Sequence, residues 1–503
     1  MNYPLLSKVL GTLLLVLSAA MLVCLGFALV ERAQGVAHAG VGAFAWAAAI
    51  TLGAGLAMAL AGLGSSTEML RKEAIAAVGL GWLLSALFGA IPFMLCEPAL
   101  SPVHAVYESM SGLTTTGGTV IADLTQYPRA LLLWRNVSQW VGGLGILVLF
   151  VALLSYLGVG SRSLMRHESS LKMSEGGLRI HEIAVRLWGV YIGLTVICAA
   201  GLSAIGWLVP DVHVSAFDAV THALSAVATG GFSPHNDSVG HFQSLAVEAW
   251  LATFMLLGAF NFMLYLVILS GRLDYKRKLN RLKAEDELWF YLKLLALATL
   301  LICIDLSWIS GQAGFGEALR RSFFSIISVS TTTGFTTENY DAWSDGSRLL
   351  LFMLMLVGGS AGSTAGGIKV SRILVFTRIA RHEIIRSFRP SRVFNLSLNG
   401  VKLDDASRMQ TVFYLALITA IALVAAIALT MTDPLINDFD SAAGVIVSSL
   451  FNIGPGFGAV GPDHTLGGLA DSTLVAMSLL MVLGRLELFA ILVLFVPSLW
   501  RRF

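Results

Sequence analysis

Four short stretches of this 503-residue chain set hydroxyl or amide residues beside glycine. They read Leu113-Thr-Thr-Thr-Gly117-Gly118, Val227-Ala-Thr-Gly-Gly231-Phe232, Ser330-Thr-Thr-Thr-Gly334-Phe335 and Leu450-Phe-Asn-Ile-Gly454-Pro455. In each, a glycine lies six residues beyond a serine: Ser111, Ser225, Ser328 and Ser448. The chemistry this pattern can do is cation coordination. An ion such as potassium sheds its water on entering a narrow path, and oxygen dipoles must replace that shell. Glycine reaches backbone angles closed to other residues, so successive carbonyls can turn toward one axis, and a threonine hydroxyl adds a further oxygen. Thr115, Thr116 and Gly117; Thr229, Gly230 and Gly231; Thr332, Thr333 and Gly334; and Asn452, Ile453 and Gly454 would each supply a quarter of the ring. Small residues also permit close packing of membrane helices, which accounts for any one stretch; four at matched positions point to a ring.

Elements of membrane length must carry these tips. The chain is 56% hydrophobic and 13% charged, with mean hydropathy +0.78, the composition of a polytopic membrane protein. A span takes about 20 apolar residues, and ten candidates lie at 5–30, 42–63, 73–96, 131–157, 184–209, 246–271, 288–309, 348–376, 409–431 and 472–499. The apolar run from Lys8 to Val30 is too long for a secretory signal and reads as a retained helix. Before each tip sits a segment too short to cross: His104–Leu113, Phe217–Val227, Leu319–Ser330 and Ser441–Leu450. These read as re-entrant half-helices whose partially negative C-terminal ends face a cavity and stabilise a cation there. Non-helical backbone at membrane depth must be buried in protein or line water. The fold class is therefore all-α integral membrane, with four pseudo-symmetric helix, pore-loop, helix repeats at 66–160, 161–275, 276–400 and 401–503, and an extra N-terminal helix pair at 1–65.

Charge orients the chain. Arg162, Arg166, Lys172 and Arg179, then Arg272, Lys276, Arg277, Lys278, Arg281 and Lys283, then Arg378 through Arg392, and Arg501 and Arg502 fall on one side. Asp123, Asp211, Asp237, Glu338, Asp341, Asp433, Asp438, Asp463 and Asp471 fall on the other. The positive-inside rule makes the basic side, with both termini, cytoplasmic and brings the glycine tips near the outer face. Cys24, Cys96, Cys198 and Cys303 stand singly without CxxC spacing and read as small buried apolar residues.

The run Gly358–Gly367 breaks what would otherwise be one long span, and a break at mid-membrane must line a cavity. It is not a nucleotide loop: Gly362-Ser-Thr-Ala-Gly-Gly-Ile-Lys369 lacks the Gly-Lys-Ser/Thr ending and follows a membrane helix. Such glycine density predicts a loop held by few contacts in any one position. Charges inside spans cost about 2.5–3.5 kcal/mol on insertion scales and need a reason. Arg485 either faces the pore or bundle interior, or forms a structural ion pair with Glu487. Lys369 either repels cations at a closed pore or snorkels to the cytoplasmic surface. Arg135 and Glu108 flank the first tip and are expected to pin its hairpin.

With these residues in view, the chain resembles the Trk/Ktr/HKT superfamily of potassium transporters, most closely its bacterial TrkH-type members, over its whole length. The four tips carry the resemblance, together with Trp134-Arg-Asn-Val-Ser-Gln-Trp-Val-Gly-Gly-Leu-Gly145, Gly358-Gly-Ser-Ala-Gly-Ser-Thr-Ala-Gly-Gly-Ile-Lys369 and Gly484-Arg-Leu-Glu487. The second tip (Ala228-Thr229-Gly230) and the fourth (Asn452-Ile453) depart from the Thr-Thr pair, leaving backbone carbonyls as their ligands. The resemblance implies potassium as the transported ion, with Gly117 favouring it over sodium. It also implies a gate formed by Gly358, Gly359, Gly362, Ser363, Thr364, Gly366, Gly367 and Lys369, with Arg485 as the pore-lining arginine. A homodimer is implied, carrying a cytosolic ring of TrkA-type subunits that bind NAD or ATP, so that this chain binds no nucleotide itself.

The resulting expectation is a multi-pass protein of the bacterial inner membrane, in contact with lipid and not with nucleic acid, that imports potassium and is not an enzyme. A sodium-permeable or sodium- or proton-coupled symporter of the same architecture is the alternative. A transporter of an organic solute also has repeats and broken helices but does not need four half-helices with glycine tips. An enzyme would need a polar cluster that the scattered histidines, among them His104, His222 and His464, do not form.

Overall fold

Residues 1–36, 38–65, 70–156, 180–269, 274–389 and 396–500 are described by a computed structural model of the chain. Arg162, Arg166, Lys172, Arg179, Arg272, Arg392, Arg501 and Arg502 of the basic side lie outside the described residues. Among the described residues six helices are long and apolar enough to span a membrane: Tyr3–Ala33, Val41–Ala61, Lys72–Leu95, Glu182–Leu208, Asp286–Ile309 and Asp405–Thr432. Their outward faces are apolar, as at Val23, Trp46, Val196, Leu300 and Val424, which is the burial expected of helices with lipid as solvent on one side. The protein is an all-α membrane protein; the one sheet among the described residues is the hairpin Ser397–Leu398 with Val401–Lys402, turned by Asn399 and Gly400, both at positive φ.

The four short helices are Pro102–Leu113, Ala216–Ala228, Phe315–Ser330 and Phe439–Leu450. Three begin at a side-chain cap. Ser101 Oγ accepts from His104 N, Ser215 and Asp218 form a reciprocal capping box, and Asp438 accepts from Ser441 N. All four end immediately before a glycine tip and are buried along their last two turns.

Two spans expected to be continuous are broken. In the region expected at 246–271, Leu245–Ala259 meets Phe262–Ile268 at 94°, where Asn261 caps the second piece by accepting from Met263 N. In the region expected at 472–499, Asp471–Arg485 meets Phe489–Phe495 at 115°, with Glu487 and Leu488 at φ 54 and 67. The first break falls in an apolar run interrupted only by Asn261, so hydropathy does not reveal it, whereas the second falls at Arg485 and Glu487, the charged residues of that span. The anticipated interruption after Asp345–Leu356 is present: the chain leaves the helix at Val357 and resumes at Val370–Phe388.

Each repeat also braces the next. The side chain at the start of the long helix after one tip contacts the following short helix: Arg129 lies 4.3 Å over the Phe217 ring, Glu248 pairs with Arg320, Arg348 with Asp440, and Asp471 with His104 at 3.7 Å. The contacted residues stand fourteen positions before their tip glycine in three repeats and thirteen in the first.

Candidate functional site

The tips repeat one backbone path. Thr115, Thr229, Thr332 and Asn452 all take left-handed angles, with φ 53, 53, 55 and 56. Two positions on, Gly117, Gly231, Gly334 and Gly454 are left-handed again at φ 88, 83, 77 and 94. Between them, the amides of Thr116, Gly230, Thr333 and Ile453 donate to the carbonyls of Ser111, Ser225, Ser328 and Ser448 at 2.8–3.1 Å. The common six-residue serine spacing is thus a backbone anchor as much as a side-chain one. In addition, Ser111 and Ser328 Oγ donate to the carbonyls of Gly118 and Phe335 at 2.6 Å, and Ser448 Oγ donates to Gly454.

The tips close on one another in order. A Cβ built on Gly117 would lie 2.3 Å from the Gly230 carbonyl oxygen, one on Gly231 2.0 Å from Thr333 O, one on Gly334 1.9 Å from Ile453 O, and one on Gly454 2.6 Å from Thr116 O. Every ring glycine therefore needs both its positive φ and its missing side chain, because the next repeat's carbonyl occupies the space. Above the ring lies a cavity of about 590 Å³ lined by all four glycines and by Asp237, Glu338, Asp463, His235 and His464. Burial pushes the Glu338 carboxyl up to about 7, opposed by Arg321 at 3.2 Å and aided by the carboxylates of Glu317 and Glu248.

The hydroxyls divide by layer. Thr116 and Thr333 turn away and bond Thr114 and Thr331 Oγ1 at 2.8 and 2.7 Å. The left-handed layer turns toward the loop 358–369. Thr229 Oγ1 meets Thr364 Oγ1 at 3.3 Å, Thr332 Oγ1 accepts from Gly366 N at 2.6 Å, and a Cβ on Gly366 would lie 2.9 Å from Asn452 Cβ. In that layer Thr115 Oγ1 and Asn452 Oδ1 are buried with no hydrogen-bond partner. Asn452 ties the fourth tip to the first and to the helix Asp471–Arg485, its Nδ2 donating to Thr116 Oγ1 at 2.9 Å and to Met481 O at 3.0 Å.

The loop expected to be loosely held is instead tied at many points. Ser360 N and Thr364 N donate to Ala259 O and Gly258 O, carbonyls freed by the helix break there. Thr364 Oγ1 reaches Gly258 O at 2.9 Å and Val227 O at 3.1 Å, and Gly362 O accepts from Phe262 N. Glu287 Oε1 accepts from Ala361 N at 2.9 Å and Ser371 N at 3.1 Å, clipping both limbs. The glycines allow this crossing: a Cβ on Gly358 would lie 2.0 Å from Gly366 O. Gly359, Ser363, Gly367 and Lys369 are buried with it. Lys369 does not snorkel; it is 8% exposed and its Nζ donates to Ala365 O at 2.5 Å. Arg485, also buried, donates through Nη1 to Thr364 O at 2.7 Å. The ion pair with Glu487 does not form, because Glu487 reaches Arg372 instead at 2.5 Å.

Comparison with known proteins matches this geometry to one family. The TrkH family profile, described as a cation transport protein, covers residues 45–502. The chain belongs to the TrkH family. It is 36% identical to a Trk system potassium uptake protein TrkH from Halomonas elongata over 92% of both chains, and 35% identical to that of Escherichia coli K12 over 86% and 87%. The crystal structure of the potassium transporter TrkH from Vibrio parahaemolyticus superposes over the full length of both chains with TM-score 0.87 at 30% identity.

In this TrkH-family chain the expected pin is present: Arg135 pairs with Glu108 at 2.8 Å, both fully buried, and Glu108 also accepts from Thr119 and Val120 N. Arg135 further donates to Ser233 O, beside the second tip. Residues missed from sequence are Asn136 and Gln139 of the same helix, which grip the second tip, and Glu287. Polar residues at 135, 136 and 139 of an apolar helix share a face and were a usable signal. Glu287 was not, since an acid in the first turn of a helix reads as an ordinary dipole partner. His222, packed against Asp218 O and Ser233 Oγ, is a structural residue of the short helix.

Proposed function

We propose that the chain is the ion-conducting subunit of a potassium uptake system of the bacterial inner membrane. The ring closure carries this reading: four glycines, each against the next repeat's carbonyl, gather the four tips around one axis. Thr115, Thr116, Gly117 and their counterparts form the selectivity filter, with the left-handed layer as its inner face. The relatives' names supply the ion. Loop 358–369, with Lys369 and Arg485, forms the barrier beneath the filter.

The basic residues, with both termini, face the cytoplasm, and the cavity of Glu338 and Asp463 faces outward, where its carboxylates concentrate cations. The exposed basic helix Tyr275–Lys283 and the helix Val370–Phe388 that leaves the gate loop give a cytosolic partner a handle on the barrier. That partner is a TrkA-type ring carrying NAD or ATP on a homodimer of this chain, within lipid. The test is growth at limiting potassium of cells lacking their own uptake systems, with the partner supplied. Rescue is expected; a correctly inserted protein that gives none, and that passes no potassium in liposomes, overturns the reading.

A further inference from the structure

Gly230 stands where the other tips carry Thr116, Thr333 and Ile453, and the reason lies in the preceding repeat. A Cβ there would lie 2.4 Å from Gln139 Cδ and 2.5 Å from its Oε1. Gln139, from the helix Arg129–Tyr156, is fully buried, and its amide bonds the second tip at three points. Nε2 donates to the Gly230 carbonyl at 2.5 Å, while Oε1 accepts from Ser225 Oγ at 2.8 Å and from Phe232 N at 3.2 Å. In the first and third tips the matching serine donates to the carbonyl seven residues on; here that carbonyl, of Phe232, takes Asn136 Nδ2 at 2.7 Å. Among the described residues no side chain donates to the ring carbonyls of Thr116, Thr333 or Ile453.

We propose that Gln139 is the positioning residue that sets ion selectivity in the second quadrant of the ring, its amide standing in for the side chain and serine clamp of the other tips. This rests on the reading of the ring as the filter. In this tip alone the ring carbonyl belongs to a glycine, Gly230, followed by a second glycine, so that carbonyl has more backbone freedom than those of Thr116, Thr333 and Ile453. A planar amide bonded to three of its groups removes that freedom and fixes the carbonyl that abuts Gly117. Without it the Gly230 carbonyl, the Phe232 amide and the Ser225 hydroxyl lose their partner, a void opens, and the ring loosens where ions are told apart. Size at 139 and at 230 is therefore complementary: the one is large because the other is absent.

The test measures sodium and potassium flux in liposomes for Gln139→Ala, Gly230→Thr and the double variant, each first checked for membrane insertion and a monodisperse elution profile. Gln139→Ala is expected to raise the sodium-to-potassium ratio by about threefold to tenfold, the range of one net hydrogen bond. Gly230→Thr alone should relax it as well, because the threonine meets Gln139. The double variant should return to within about twofold of the native ratio, a recovery that additive damage does not produce. An unchanged ratio in either single variant, or a double variant no better than the worse single one, overturns the proposal. If Gln139→Ala does not insert, the double variant decides: selective flux supports the proposal and a double that also fails to fold overturns it. Gly117→Ser in the same vesicles separates the two readings. If it relaxes selectivity while Gln139→Ala does not, only the role of Gln139 falls; if neither does, the ring is not the filter.

Discussion

At the residue scale, the ring glycines differ in how little room they leave, and this orders their substitutions. Gly334 and Gly231 would place a Cβ 1.9 and 2.0 Å from a backbone oxygen, Gly117 at 2.3 Å and Gly454 at 2.6 Å. Alanine should cost most at Gly334 and least at Gly454, with Gly117→Ser admitting more sodium; a tenfold loss of discrimination corresponds to about 1.4 kcal/mol. Potassium, rubidium and sodium fluxes across the four variants check the order, and equal effects would mean that φ alone matters. Glu338 gives a second prediction. With its carboxyl at about 7, it is charged at external pH 8 and neutral at pH 6. The apparent potassium affinity should thus fall on acidification, by about twofold if one unit charge acts through ~10 Å of water. Glu338→Gln should hold the alkaline affinity at the acid value and flatten the profile; a slope identical to the native one would assign it to other groups.

At the element scale, the loop 358–369 is built into its surroundings by hydrogen bonds at both limbs. Its amides satisfy carbonyls that the broken helix Leu245–Ala259 leaves open, and Glu287 ties its two limbs to the start of the helix Asp286–Ile304. Glu287→Ala leaves two buried amides unpaired, at about 1–3 kcal/mol each, and is expected to raise basal potassium flux without changing ion preference, since the ring is untouched. Single-variant flux without the cytosolic partner tests it; no rise would place the barrier at Arg485. Deleting residues 362–365 should also raise flux, but here selectivity should relax too, because Thr229 loses its contact with Thr364 and Gly366 no longer holds Thr332.

At the scale of the whole molecule, the four repeats are held in a circle by contacts from each to the next. Glu248 is 5% exposed on its side chain and takes two hydrogen bonds from Arg320, at 2.8 and 2.6 Å. Removing the arginine strands a buried carboxylate, and Arg320→Ala should lower the thermal midpoint, with a cost approaching ~3 kcal/mol given that Arg320 is partly exposed. The swap Glu248→Arg with Arg320→Glu should recover part of that loss. Thermal unfolding followed by size-exclusion fluorescence measures both, and an unshifted midpoint in Arg320→Ala would show that apolar packing alone closes the circle.

Periodic features were legible in the chain itself. Membrane class, the four short helices and their tips and the break at Gly358–Gly367 all follow from composition, length or a repeated spacing, which are local properties of sequence, whereas the pairing of Arg135 with Glu108, 27 residues apart, does not. What only the tertiary structure decided depends on groups distant in the chain. Glycine at 117 is required by the oxygen of residue 230, and glycine at 230 by the side chain of 139. Arg485 finds Thr364 and not Glu487, two residues away, because the backbone turns sharply at 487–488. The loop at 358–369 was expected to be loose from its glycine content, which raises the entropy lost on ordering. It is firm because a break elsewhere, at Phe260 and Asn261, offers it unpaired carbonyls, and hydropathy does not register a helix end inside an apolar run.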